Sequence, residues 1–255
     1  MKVPEAGKSE QNVMQAQLQM VLEQIADAAR RSSRDPADVK LVAVSKKQPV
    51  TKMAIVLKSW PTKDTPVIFG ESYVQEFKKK RAELEGDYLA HLIGPLQSNK
   101  AKDAVKCFDL IESVHSPKIA LALNAEAEKI GKLQDVYLQV NISDDINKAG
   151  FTSEALLKYL ADEFGTLKNL RLCGLMTITR YYMEKEDARP DFGAVRDLKE
   201  RVSAQVKHLD INVAPSLELS MGMSADFDIA IEEGATVVRV GTALFGERIL
   251  SGAQI

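Results

Sequence analysis

The sequence predicts an α/β protein: a single (β/α)8 TIM barrel with one extra N-terminal helix. Three observations lead there. The chain has 255 residues, about the length this barrel requires. Eight short apolar runs of strand length recur along it, and segments of helical period separate them. No composition break or linker interrupts the series, which favours a closed barrel over a doubly wound sheet. The expectation is therefore one domain spanning 1–255, with 1–10 as a flexible tail.

After the polar tail, Met14, Leu18, Val21, Leu22, Ile25 and Ala29 recur at three- and four-residue steps. They form one apolar stripe on a helix ending near Arg31. This helix is expected outside the ring or across the barrel floor. Asp35-Pro36 then breaks the chain. The run 41–44 is rich in β-branched residues and too short for a helix, so it reads as a buried strand. Further strands follow at 67–69, 88–93, 110–114, 136–142, 170–178, 217–220 and 237–240. Helical patterns lie between them at 53–60, 74–84, 100–105, 119–130, 155–164, 192–206 and 225–233. The stretch 180–191 (RYYMEKEDARPD) is charged and irregular, and reads as a mobile loop.

Composition narrows the function. Lys and Arg total 34 against 36 Asp and Glu, which gives no electrostatic reason to expect nucleic-acid or anionic-membrane binding. No window approaches the roughly 20 apolar residues of a membrane span. The polar N-terminus lacks the apolar core of a secretory signal, although an organellar presequence stays open. Cys107 and Cys173 form no CxxC pair, so neither a disulfide framework nor a structural zinc site is indicated. These features imply a soluble, cytoplasmic protein of a reducing compartment.

Barrel enzymes place reactive residues at the C-terminal ends of their strands, and two groups of residues there suggest a phosphorylated aldehyde. Gly222, Ser224, Gly241 and Thr242 follow strands seven and eight, the usual phosphate position. Ser224 either opens the helix at 225–233 as a simple N-cap or turns its hydroxyl and nearby N–H groups toward an anion. Lys46 follows four apolar strand residues. It is either a solvent-facing lysine at a strand end or an amine whose lowered pKa leaves it free to attack a carbonyl. Lys47 is expected at the surface. His91, His115 and His208 lack metal-ligand spacing and read as structural. The run Lys78-Lys79-Lys80-Arg81 reads as a solvated helix face, and Asp226 and Asp228 as partners of a helix dipole. No GxGxxG, P-loop or GxSxG pattern is present.

The blocks AVSKKQP (43–49), FGESYVQE (69–76), HLIGPLQSNK (91–100), GLMTI (174–178) and LSMGMSADFDIAIEEGATVVRVGTALFGER (219–248) closely resemble the pyridoxal phosphate homeostasis proteins. That family is similar to the barrel domain of bacterial alanine racemase, without the racemase's second, β-rich domain. The resemblance implies that Lys46 holds pyridoxal 5′-phosphate (PLP) as a Schiff base. It puts Ser220, Ser224, Gly241 and Thr242 on the phosphate side and Asn141 and Met176 along the cofactor face. It also sets Arg239 against the pyridine nitrogen, which keeps that nitrogen unprotonated and makes the ring a weaker electron sink. Ser72 stands where the family usually has Asn, and is a weaker site residue. Gln48 replaces a usual second lysine.

The implied function is a cofactor-binding protein that limits free PLP and can deliver it to apo-enzymes, as a monomer or weak homodimer, without substrate turnover. The chain ends within ten residues of FGER, which leaves no second domain to supply an opposing acid. The alternative is a small PLP-dependent amino-acid racemase with Lys46 as base. That reading needs a proton donor across the cofactor, and Tyr73 is the nearest by position. A barrel aldolase, whose lysine attacks a substrate carbonyl, is a more distant reading.

Overall fold

The computed structural model describes residues 7–62, 64–143, 145 and 148–247. Eight parallel strands close in chain order, with the eighth bonded to the first. They are β1 (Lys40–Val44), β2 (Val67–Glu71), β3 (Tyr88–Leu92), β4 (Leu110–Val114), β5 (Gln134–Val140), β6 (Leu170–Thr177), β7 (Val213–Met223) and β8 (Val237–Val240). The helices are α1 (Lys8–Arg31), α2 (Val50–Ser59), α3 (Val74–Arg81), α4 (Ala101–Cys107), α5 (Pro117–Glu128), α6 (Ser153–Asp162), α7 (Arg189–Val206), α8 (Phe227–Glu232) and α9 (Thr242–Phe245). This is the barrel the sequence predicts. Among the described residues, no helix is long and apolar enough to cross a membrane.

The predicted apolar stripe of α1 buries Met14, Leu18, Val21 and Ile25. The helix packs beside α2, α8 and α9, so it lies outside the ring. It starts at Lys8, inside the expected tail 1–10, because the first turn of a helix needs no intrahelical N–H partners and Glu10 suits its positive end. Residues 1–6 lie outside the described residues.

Strand β7 is much longer than the expected 217–220. Its β6 register slips between Leu172↔Val213 and Gly174↔Glu218, across Pro215, which has no N–H to offer the ladder. Gly174 lets the strands close again after the slip, since a Cβ there would sit 2.4 Å from the Glu218 carbonyl oxygen.

Alternation along β1 sorts the core into two layers. Leu41 and Ala43 join the large cluster between strands and helices, whereas Val42 and Val44 join Ile68, Ile93 and Val237 in a separate one. Leu110, Tyr137, Cys173 and Met176 form a third. The two small clusters draw on strands from opposite sides and therefore fill the barrel interior. Each fully buried Val, Leu or Ile in these layers contributes about 1.5–3 kcal/mol.

The stretch 180–191 is irregular as far as Glu184, with Tyr181 and Met183 each 90% exposed, and departs from the expected loop only beyond it. A 3-10 turn at Lys185–Ala188 runs straight into α7. Two of its cations are paired: Lys185 with Asp228, and Arg189 with Glu186, Glu232 and Glu233. Tyr182 donates to Asp191 at 2.7 Å. Charge density that reads as solvation in sequence is here a network linking three elements.

Candidate functional site

All strands run the same way, so the ends of β1, β2, β5, β6, β7 and β8 meet at one rim, and the sequence-predicted residues stand there or just beneath it. β1 ends where the Ser45 N–H donates to the Gly70 carbonyl at 3.0 Å. Lys46 follows and is half-buried. Lys47 is exposed, as expected, in a left-handed conformation (φ +59°), its ammonium 5.8 Å from the Tyr73 ring.

A buried ionic cluster grips the backbone on both sides of Lys46. Lys80 donates to the Ser45 carbonyl and to Glu71 Oε1, each at 2.8 Å, and pairs with Glu76 Oε1 at 2.6 Å. The Ser45 hydroxyl donates to the same Glu71 oxygen at 2.8 Å. Glu76 Oε1 also accepts the Lys47 N–H at 2.7 Å, steadying a conformation that side chains other than glycine adopt rarely. Burial pushes the Glu71 carboxyl above its ordinary value, and Lys80 works against that rise. The solvated face expected of 78–81 is therefore corrected at one position: Lys80 is only 7% exposed. Its four-carbon stem reaches under the sheet because Glu71 and Glu76 supply the charge that makes a buried ammonium tolerable.

Deeper in the barrel a polar chain crosses the interior. His91 Nδ1 lies 2.8 Å from Glu112 Oε1, the Ser220 hydroxyl donates to Glu112 Oε2 at 2.5 Å, and Arg239 Nη1 donates to Ser220 Oγ at 2.6 Å. Arg239 Nη2 donates to the Thr177 carbonyl at 2.7 Å. These residues come from β3, β4, β7 and β8, and strands that are not neighbours can be joined this way only across the interior. For Glu112, burial disfavours the charge, but His91, Arg239 and the Ser220 hydroxyl together hold its carboxyl below the ordinary value. Burial lowers Arg239, which the Glu112 and Asp226 charges oppose. Met176 is wholly buried in the interior cluster beside this chain.

After β7 and β8, the Ser224 hydroxyl accepts the Gly241 N–H at 3.2 Å and ties the two loops together. Ser224 is not the N-cap its position suggests. It sits in a turn, α8 begins at Phe227, and Asp226 takes the cap position with its carboxylate on the Met223 N–H at 2.7 Å. The shift follows from Gly222, whose φ of +88° turns the chain first. A Cβ there would lie 2.5 Å from the Ala230 Cβ. Thr242 is exposed as the first residue of α9.

Besides Ser220 and Arg239, two further predicted residues are engaged in the protein's own structure. Asn141 donates to the carbonyls of Asp145 at 2.9 Å and Lys148 at 3.3 Å, shaping its own loop. Ser72 is buried, with its Cα and Cβ against Gly94, where an added Cβ would come within 2.5 Å. Glu71, Glu76, Lys80 and Glu112 carry no role in the sequence reading. Glu112 offered a signal, an acid inside the apolar strand LIESV, because a buried carboxylate demands partners. Among the described residues, no group of three or more His, Cys, Asp or Glu is placed to hold a metal ion.

Residues 16–249 match the family model described as alanine racemase, N-terminal domain. A pyridoxal phosphate homeostasis protein of Aquifex aeolicus is 40% identical over 232 residues, covering 91% of this chain and 96% of that protein. One from Pseudomonas aeruginosa is 40% identical over 233 residues, covering 89% and 93%. Among solved structures, PipY of Synechococcus elongatus with PLP bound is 36% identical, with a TM-score of 0.74 over 87% of this chain and all of that one. An alanine racemase of Clostridium difficile, 17% identical, shares the fold with a TM-score of 0.65 over 91% of this chain and 57% of its own.

Proposed function

We propose, for a chain that belongs to the pyridoxal phosphate homeostasis proteins of the alanine racemase N-terminal domain family, that it binds PLP and serves intracellular vitamin B6 homeostasis. One observation carries the reading onto these residues. A half-buried lysine at the end of β1 shares a rim with the hydroxyl-bearing loops after β7 and β8, above a buried arginine. This donor set fits the cofactor. An amine suits its aldehyde, and the hydroxyls of Ser224 and Thr242 suit its phosphate. At Gly241 an added Cβ would meet Val44 at 3.4 Å, so this loop lies against the end of the strand that leads to Lys46.

When bound, PLP supplies an aldehyde that condenses with a neutral lysine amine, with loss of water. Lys46 provides that amine, and the Glu71–Lys80–Glu76 cluster fixes the backbone from which it reaches. Ser224, Gly241 and Thr242 hold the phosphate side, while Ser220 spends its hydroxyl on Glu112 and Arg239 beneath them. Arg239, fixed by Ser220 and the Thr177 carbonyl, presents a guanidinium that stays charged and so leaves a facing ring nitrogen unprotonated. Met176 supplies an apolar wall. Asn141 and Ser72 act less directly, through the β5 loop and the contact with Gly94.

Holding the cofactor without turnover accounts for the site better than racemisation. Tyr73, the donor a racemase would need, is 49% exposed and sits beside Lys47. Delivery to apo-enzymes, a monomeric or weakly dimeric state and a cytoplasmic location belong to the same reading. Mass spectrometry of the borohydride-reduced protein tests it: one pyridoxyl adduct on the Lys46 peptide is expected, and an adduct elsewhere refutes the assignment. Robust racemisation of D- or L-amino acids above the rate of free cofactor would overturn the non-enzymatic reading.

A further inference from the structure

At the opposite end of the barrel from Lys46, a cavity of about 880 Å³ opens between the strand starts, the second half of α1 and the segment after α2. That volume lies within the range of small-molecule sites. Its walls are largely apolar and include Leu22 and Ile25 of α1, Leu110 and Pro215. Both cations among its described lining residues are already neutralised by carboxylates of the same wall. Arg171 grips Asp135 through two bonds of 2.7 Å, and Lys40 pairs with Glu218, which also takes the Tyr137 hydroxyl. An anion therefore finds no uncommitted positive charge among them. A neutral molecule finds apolar walls, the Trp60 ring among them; its indole Nε1 is buried and has no partner among the described residues.

His91 makes this cavity more than a void. It lines the cavity and also begins the polar chain through Glu112 and Ser220 to Arg239. We infer that the cavity is a second binding site, for a largely apolar molecule without negative charge, and that its occupancy is felt at Arg239 through His91. The imidazole is the shared element. A ligand pressing on its cavity side reorients the ring, Glu112 follows its Nδ1 partner, and Ser220 and the guanidinium follow Glu112. The binding half stands without any cofactor, while the coupling half rests on the PLP reading above.

The test uses the full chain and Prodan, a neutral naphthalene ketone, against the anionic anilinonaphthalene sulfonate. Trp60 is the only tryptophan, so quenching of its emission reports occupancy in PLP-free protein. Saturable quenching by Prodan is expected, with little from the sulfonate. Filling the cavity from either side, by Ala26→Phe on α1 or Ala37→Phe at the mouth, should weaken Prodan at least tenfold without lowering the melting temperature. Absent saturation, equal binding of the sulfonate, or indifference to both fillings in folded protein overturns the site. In PLP-loaded protein, saturating Prodan should change the rate of borohydride trapping at least twofold. Glu112→Gln should abolish that effect while the Trp60 quenching persists. A trapping rate unmoved by Prodan, or an effect that survives Glu112→Gln, overturns the coupling and leaves the cofactor assignment untouched.

Discussion

Replacing Glu112 with Ala removes the acceptor that both Ser220 and His91 use and takes from the Arg239 guanidinium, 4% exposed, one of the two carboxylates, with Asp226, that offset its burial. Breaking a buried ion pair by deleting one partner costs about 3–5 kcal/mol, most of it the uncompensated charge left behind. At about 2.1 cal/mol/K per residue, unfolding 255 residues carries roughly 0.54 kcal/mol/K, so the melting temperature should fall by about 6–9 °C. Scanning calorimetry of PLP-free protein reads this directly and keeps cofactor binding out of the comparison. The paired substitution Glu112→Leu with Arg239→Leu removes both charges of the chain together, and its loss should be smaller than the sum of the single Leu variants by about 2 kcal/mol or more. If the two losses simply add, to within about 0.5 kcal/mol, the carboxylate and guanidinium are not coupled and the chain across the barrel is two separate contacts.

Lys46→Ala should abolish borohydride-reducible labelling yet retain some desaltable PLP, measured by phosphate content; undiminished labelling would identify another lysine as the anchor. Glu76→Ala releases the Lys47 N–H and one side of the Lys80 pair, and should slow trapping at Lys46 several-fold in stopped-flow. Glu76→Gln keeps an acceptor oxygen and should restore most of the rate, and a Gln variant as slow as Ala would refute the clamp. On pH, the Glu112 carboxyl is held below its ordinary 4.5, so the unfolded chain takes up its proton first. Stability then climbs with pH through the window just below about 4.5 and is lost on acidification, and Glu112→Gln should flatten that limb in urea titrations. Glu71 has the opposite sign: raised by burial, it makes stability fall as pH rises through the window just above 4.5, a slope Glu71→Gln should remove. Gly222→Ala, forced into φ +88° and against Ala230, should cost about 2 kcal/mol or more in urea melts and loosen PLP along with it; an unchanged midpoint would show that the turn after β7 is not strained.

Lys46, Ser224, Gly241 and Thr242 could be picked out in sequence because each follows a strongly apolar strand, and strand ends in this architecture converge; Ser220 and Arg239 entered only through the family resemblance. Ser224 shows where local reading stops. Its spacing suits an N-cap, but the turn at Gly222 delays the helix, so its hydroxyl serves Gly241 instead. Lys80 shows the same from the opposite side. In a run of four basic residues nothing marks the one whose stem turns inward, because the carboxylates that receive it lie nine and four residues earlier, on another element and another helical turn.

Hydrophobic periodicity, strand length and turn residues are local properties, so the amino-acid order alone determined the eight-fold alternation, the barrel and the rim on which the lysine stands. Which polar groups meet inside that barrel depends on register across strands far apart in the chain, such as β4 with β7 or β3 with β8. Only closure brings Glu112 to Ser220 and Arg239. Likewise the floor cavity exists because α1, the segment after α2 and the slipped start of β7 fail to fill one common space, a volume that belongs to no single segment.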